Sequence, residues 1–160
     1  MSDSGIPQIE VRRASATMST ADQVSQALAG TPGWDAGQNT FVESLGGTAV
    51  DASLQLLQEV GFVTADDPKF LGTLEAVERR LRYGNHLYRY EEADDFGKPT
   101  TAFTVCTFWY VNALVAVGRL REARAMFENV LRCCNHVGLL SEDVDPHTGE
   151  LWGNFPQSLE

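Results

Sequence analysis

Basic residues, cysteines and long apolar runs are all scarce in this sequence, and each shortage excludes something. Lysine and arginine together number 12 against 22 aspartates and glutamates, which gives a formal net charge of -10. Nucleic acids and anionic membrane surfaces both call for a basic patch, so neither is an expected partner. The three cysteines, Cys106, Cys133 and Cys134, are an odd number with two adjacent. That is not a disulfide framework, and reduced thiols in a cytoplasmic protein are the expectation. The longest apolar stretch runs from Phe103 to Val117, is broken by Thr104, Thr107 and Asn112, and is too short to cross a bilayer. The opening MSDSGIPQIEVRR lacks the apolar centre of a signal peptide. No segment alternates clearly enough to be a strand, so the expected fold class is all-α.

What remains is ordinary for a globular domain: 43% hydrophobic and 21% charged residues in a chain of 160. Residues 1–33 are expected to form a divergent arm. Within it Ser19 or Thr20 could cap a short helix carrying Val24 and Leu28, with Gly30 past its end. From Thr48 onward Val50, Leu54 and Leu57 share a helical face, and Gly61 can close that helix. Asp67-Pro68 is a helix start, with Asp67 as N-cap and Pro68 in the first turn. Leu71, Leu74, Val77 and Leu81 then recur at helical spacing until Gly84. A polar loop over 85–100 precedes a third helix over 101–117, apolar almost all round and therefore expected to be buried on most sides. Beyond Gly118 a fourth helix carries Leu120, Ala123, Phe127, Val130, Leu131 and Cys134 as its apolar stripe. Residues 135–160 read as loop.

These helices form two hairpins, over 50–82 and 101–134, whose starts lie about 51 residues apart, a spacing typical of helical repeats. In each, a less polar helix precedes a more amphipathic one, as in the inner and outer helices of a stacked α/α array. Stacking would bring loops 83–100 and 135–154 to the same end. Both are longer than packing requires, which marks them as candidate functional loops.

The second loop holds Ser141-Glu142-Asp143-Val144-Asp145, whose carboxylates could act as general bases or metal ligands, or form a solvated acidic surface. It does not read as a calcium loop: Gly149 falls at position seven and Asn154 at position twelve. The first loop holds Leu87-Tyr88-Arg89-Tyr90 and Asp94-Asp95. Arginine flanked by aromatics suits a sugar, and equally an Arg–Asp structural pair. Cys133, Cys134 and His136 lack zinc-site spacing, and Cys134 reads as core. No metal and no cofactor is expected.

The run LYRYEEADDFGKPTTAFTVCTFWYVNALVAVGRL and the words GLLSED and GNFPQ that follow it closely resemble glycoside hydrolase family 15, the glucoamylase/trehalase type. The upstream word DASLQLL fits the same resemblance, which extends from Gly33 to Gln157. The resemblance implies a six-hairpin α/α toroid, of which 34–160 would be a C-terminal portion truncated at both ends. It implies inverting hydrolysis of α-glucosidic bonds, with an α-glucoside or oligosaccharide as substrate. Glu142 maps onto the general base and Arg89 onto a substrate-binding arginine, with Tyr90 and Asp95 as weaker sugar contacts. The family's general acid lies upstream, in a loop that DSGI and EVR, with Glu10, echo only faintly. The isolated chain is therefore expected to be inactive, and the alternative is a non-catalytic remnant or a binding or regulatory module of the same fold. Helix faces left without partners predict self-association.

Overall fold

The computed structural model describes residues 33–95 and 97–157, all within one unit spanning Pro32–Glu160. The expected helix around Val24 and Leu28, and Glu10, lie outside the described residues.

Strands β1 (Trp34–Asp35) and β2 (Thr40–Phe41) pair antiparallel around a turn in which Asp35 Oδ1 accepts from the Gly37 and Gln38 amides, at 2.8 and 3.1 Å. The segment expected as the first helix is a 3-10 helix of six residues, Ala52–Leu57, with Asp51 accepting from the Ser53 amide. It ends at Leu57, earlier than the expected stop at Gly61; turns follow to Gly61, whose φ of 74° accompanies bonds from the Phe62 amide to the Leu57 carbonyl and from its own amide to the Gln58 carbonyl. Helix α1 (Pro68–Leu81) begins as the Asp67-Pro68 pair dictates, with Asp67 accepting from the Lys69 amide at 2.8 Å. Helices α2 (Thr104–Ala116) and α3 (Leu120–Leu131) follow and pack on each other.

The all-α expectation needs correcting. Besides β1–β2, β3 (Arg82–Tyr83) pairs with β4 (His86–Leu87), and a three-stranded sheet joins β5 (Ala102–Phe103), β6 (Asp143–Val144) and β7 (Leu151–Trp152) in the order β5-β6-β7. The fold is helical with small sheets. Each strand has two residues, too few to show an alternation, and each is defined by a partner that local sequence does not reveal. Both long loops thus carry paired segments.

The core is built from Phe70, Leu74, Val77 and Leu81 of α1, from Cys106, Tyr110, Ala113 and Leu114 of α2, and from Ala123 and Met126 of α3. Full burial of such side chains contributes about 1.5–3 kcal/mol each for the larger ones. Two stripes are displaced from expectation. On α1 Phe70 is buried and Leu71 is exposed. On α3 the buried residues are Ala123, Met126 and Val130, while Leu120, Phe127 and Leu131 face outward. Helix α2 is less enclosed than expected, since Asn112, Val115 and Ala116 are exposed. Cys134 lies half-buried beyond the end of α3 rather than in the core.

A closed ring of four charges fastens α1 to α3. Arg82 Nη1 contacts Glu78 Oε1 at 2.9 Å and Glu122 Oε1 at 2.6 Å. Arg119 contacts Glu78 Oε2 at 2.9 Å and Glu122 Oε2 at 2.6 Å. The hydrogen bond from Arg119, reinforced by the nearby charges and partly opposed by burial, holds the Glu78 carboxyl below its ordinary 4.5. A depressed carboxyl contributes stability that is complete above the ordinary value and lost as pH falls through the folded one. Glu78→Gln is therefore expected to cost about 1–2 kcal/mol at pH 7, moderated by the arginines' contact with water. Urea unfolding at pH 7 and at pH 3.5 checks this: the gap between wild type and variant should shrink at the lower pH.

Candidate active site

Arg89 follows β4, where buried Leu87 donates its amide to Thr107 Oγ1 at 3.1 Å. The Arg89 carbonyl accepts from the Ala52 amide at 2.8 Å, and its Nε lies 3.5 Å from Asp51 Oδ2. Asp51 thus works with both oxygens: one caps the 3-10 helix and the other faces the guanidinium. Tyr90 donates its hydroxyl to Asp94 Oδ2 at 2.6 Å, and this bond is the main cause that raises the phenol above its ordinary value. The next residue, Glu91, is ion-paired to Arg80 of α1, which anchors the loop to the core.

Glu142 immediately precedes β6 and is held at three points. Its amide donates to the Asn154 carbonyl at 3.0 Å, its carbonyl accepts from the Thr104 amide at 2.9 Å, and its Oε2 accepts from the Asn154 amide at 2.9 Å. Among the described residues Oε1 receives no hydrogen bond. Gly153 lies against this side chain. With φ at 77°, a Cβ there would stand 2.8 Å from Oε2 and 2.9 Å from the Glu142 Cβ. Ser141, almost fully buried, donates to the Asp143 carbonyl at 2.6 Å and stiffens the same turn. The Asp143 carboxyl is raised above its ordinary value, chiefly by burial and next by the Glu142 charge, with a Thr101 hydrogen bond opposing.

Arg89, Tyr90 and Glu142 line one open hollow of about 250 Å³, together with Pro99, Thr101, Phe103 and Asp143. The two long loops therefore meet. They are also joined at Tyr83 and His147, whose hydroxyl and Nδ1 are 3.0 Å apart. Asp95 is not part of the wall and sits on an exposed turn bridged by Asp94 and Gly97. Beneath the hollow Cys106 is pushed up to about 12, by burial first and by the Asp51 charge next, and is an inert thiol. Among the described residues no group of three His, Cys, Asp or Glu side chains could hold a metal ion, and no helix is long and apolar enough to cross a membrane.

Sequence reasoning passed over Asp51, Phe103 and Gly153. Asp51 did carry a signal: an aspartate directly before ASLQLL is an N-cap, and its second oxygen is then free to meet a cation. Chemically, the hollow presents a guanidinium with five donors, a carboxylate fixed through one oxygen, and aromatic walls. That set suits a neutral, hydroxyl-rich ligand with a base beside it.

The family model described as glycosyl hydrolases family 15 matches residues 8–160. The trehalase of Thermoplasma volcanium is 42% identical over 128 residues, covering 79% of this chain and 20% of that protein. The trehalase of Mycolicibacterium smegmatis is 37% identical over 126 residues, covering 76% of this chain and 19% of that protein. The chain spans about a fifth of the length of these curated relatives. Among solved structures, a wild-type glycosidase superposes with a TM-score of 0.65 at 27% identity, over 81% of this chain and 34% of that one. A variant glycosidase in complex with glucose superposes with the same TM-score of 0.65 at 26% identity and the same coverage of 81% and 34%.

Proposed function

This chain belongs to glycosyl hydrolases family 15, and we propose that its hollow is the glucose-binding and general-base half of an inverting α-glucosidase site. Inversion needs two carboxyl groups about 6.5–9.5 Å apart, one to protonate the leaving oxygen and one to activate water. In this reading Glu142 is the base. Its Oε2 is fixed by the Asn154 amide, and its Oε1 accepts the proton of the water that attacks the anomeric carbon. Arg89 donates to glucose hydroxyls, Tyr90 supplies an aromatic wall, and Asp95 is an outer contact at most. The acid comes from another part of the catalytic domain.

The observation that carries this reading is the meeting of Arg89 and Glu142, from separate loops, on one hollow. The relatives named trehalase favour trehalose or a similar α-glucoside as the substrate. The fold reading extends with it to part of an α/α toroid. The outward Leu120, Phe127 and Val115 support that extension, as a face that a neighbouring hairpin or a second copy of the chain would cover. The adjacent, unpaired Cys133 and Cys134 fit a reducing cytoplasm. The rival reading, a sugar-binding module without turnover, keeps Arg89 and drops the acid.

Both readings need glucose to bind. Titration of the chain with glucose, followed by amide chemical shifts, is expected to saturate with perturbations centred on Arg89 and Glu142. Arg89→Ala should weaken that binding by about tenfold or more, as for a lost hydrogen bond to a charged group. Binding that ignores Arg89, or no saturable binding, would overturn the proposal. Glu142-dependent release of glucose from trehalose, once residues 33–157 replace the matching segment of a full-length family enzyme, would decide between the readings in favour of the enzyme.

A further inference from the structure

Asp51 does more than cap a helix. It stands on a buried platform, since Ala52, Leu54 and Gln55 of the 3-10 helix are almost wholly shielded from water. Gln55 Nε2 donates to the Ala52 carbonyl at 2.8 Å and to the Cys106 carbonyl of α2 at 3.4 Å, which ties that helix to the floor of the site. The Asp51 side chain is 12% exposed, while the Arg89 side chain beside it is 50% exposed. A fixed acid thus holds a cation that reaches out into the hollow. The hold is double, because the Arg89 carbonyl also accepts from the Ala52 amide.

The contact uses one corner of the guanidinium. Asp51 Oδ2 faces Nε at 3.5 Å, and among the described residues no other acid is within ion-pair distance of Arg89. A guanidinium carries five N–H groups, four of them on its two Nη atoms. Among the described residues those four make no hydrogen bond, and they remain for a ligand. Arg89 is also the only basic residue on the described wall of the hollow. Its charge by itself would attract an anion, and Asp51 offsets it. Two neighbouring groups register both charges with opposite sign. The Cys106 thiol is raised by burial first and by Asp51 next, with Arg89 opposing. The Tyr90 phenol is raised chiefly by its bond to Asp94, and there too Arg89 lowers it while Asp51 raises it.

We propose that Asp51 positions and neutralises Arg89, so that the hollow holds uncharged, hydroxyl-bearing rings and turns away sugars that carry an acid group. This role rests on the glucose site proposed above and assigns its selectivity to a residue that touches no sugar. With Nε held from behind, the planar fork is set before a ligand arrives, and less freedom is lost on binding. With the charge matched, an anion gains little from Arg89 and still meets Glu142 and Asp143.

Glucose and glucuronate test this, because they share their ring hydroxyls and differ by a carboxylate. Each is titrated into the chain and followed by amide chemical shifts around Arg89. The unaltered chain is expected to bind glucose about tenfold more tightly than glucuronate. Asp51→Asn keeps an acceptor for the Ser53 amide and removes the charge. It should weaken glucose binding about fivefold and shrink the preference over glucuronate about tenfold. Asp51→Ser, also a good cap, should do the same. Added to Arg89→Ala, Asp51→Asn should leave glucose affinity where Arg89→Ala alone puts it, since the pair acts as one unit. A cap alone would alter unfolding curves and not the ratio between two sugars. Equal binding of the two sugars by the unaltered chain overturns the role of Asp51. So does an unchanged preference in folded Asp51→Asn or Asp51→Ser, or a further loss of glucose affinity on top of Arg89→Ala. Each of these leaves the glucose site standing, whereas failure of Arg89-dependent glucose binding overturns both.

Discussion

Glu142→Gln is expected to lower α-glucoside hydrolysis by about 10²–10⁴-fold while leaving glucose affinity unchanged. The amide keeps the shape of the side chain, and one of its atoms can still meet the Asn154 N–H. What it loses is the capacity to take a proton from water. A family enzyme of full length provides the setting: residues 33–157 replacing the matching segment of the Thermoplasma volcanium trehalase, which is 42% identical here. Glucose release from trehalose at saturating substrate reads kcat, and product binding reads affinity. Equal turnover in chimera and variant would remove Glu142 from the role of base. Loss of glucose binding with turnover would instead mark it as a binding residue.

The second large effect is expected from Gly153→Ala. The added methyl would meet Glu142 at 2.8 and 2.9 Å, closer than carbon and oxygen tolerate, at a backbone φ of 77° that non-glycine residues seldom adopt. Moving the carboxylate alone relieves only the Oε2 contact; the Cβ contact requires a shift of the backbone at 142 or 153, which carries the Glu142 carboxylate with it. A misplacement of about 1 Å at a reacting group can cost about 10²-fold in rate. In the same chimera kcat should fall by about that factor, with KM changing little, because the Arg89 side of the hollow is untouched. A rise in KM with kcat preserved would show that Gly153 shapes the sugar pocket and does not position the base.

The sequence discloses these parts unevenly. Helix α1 is legible to the residue at its start because Asp67-Pro68 is a local signal, complete within two positions. Helix α3 is legible in extent and not in orientation. It carries two apolar stripes, Ala123–Met126–Val130 and Leu120–Phe127–Leu131, and periodicity cannot tell which one meets the core. Leu71 displaces Phe70 from the expected face of α1 for the same reason. The two-residue strands leave no trace because two residues cannot show an alternation; only β5 pairs far along the chain, with β6, while β1–β2, β3–β4 and β6–β7 are local hairpins. The meeting of Arg89 and Glu142 follows from the order of the elements: two outer-to-inner connections at one end. Asp51, Phe103 and Gly153 reach the site through cap, register and close approach, which only the folded chain displays.

Helix α2 has no side-chain cap; its first amide, Thr104, instead donates to the main-chain carbonyl of Glu142. One position thus answers to two masters. The architecture reads it through a carbonyl that any amino acid could supply, and the proposed chemistry would read it through a carboxylate that few can. Residue 142 could therefore change its side chain, and with it whatever role the carboxylate has, while the start of α2 kept its hydrogen bond.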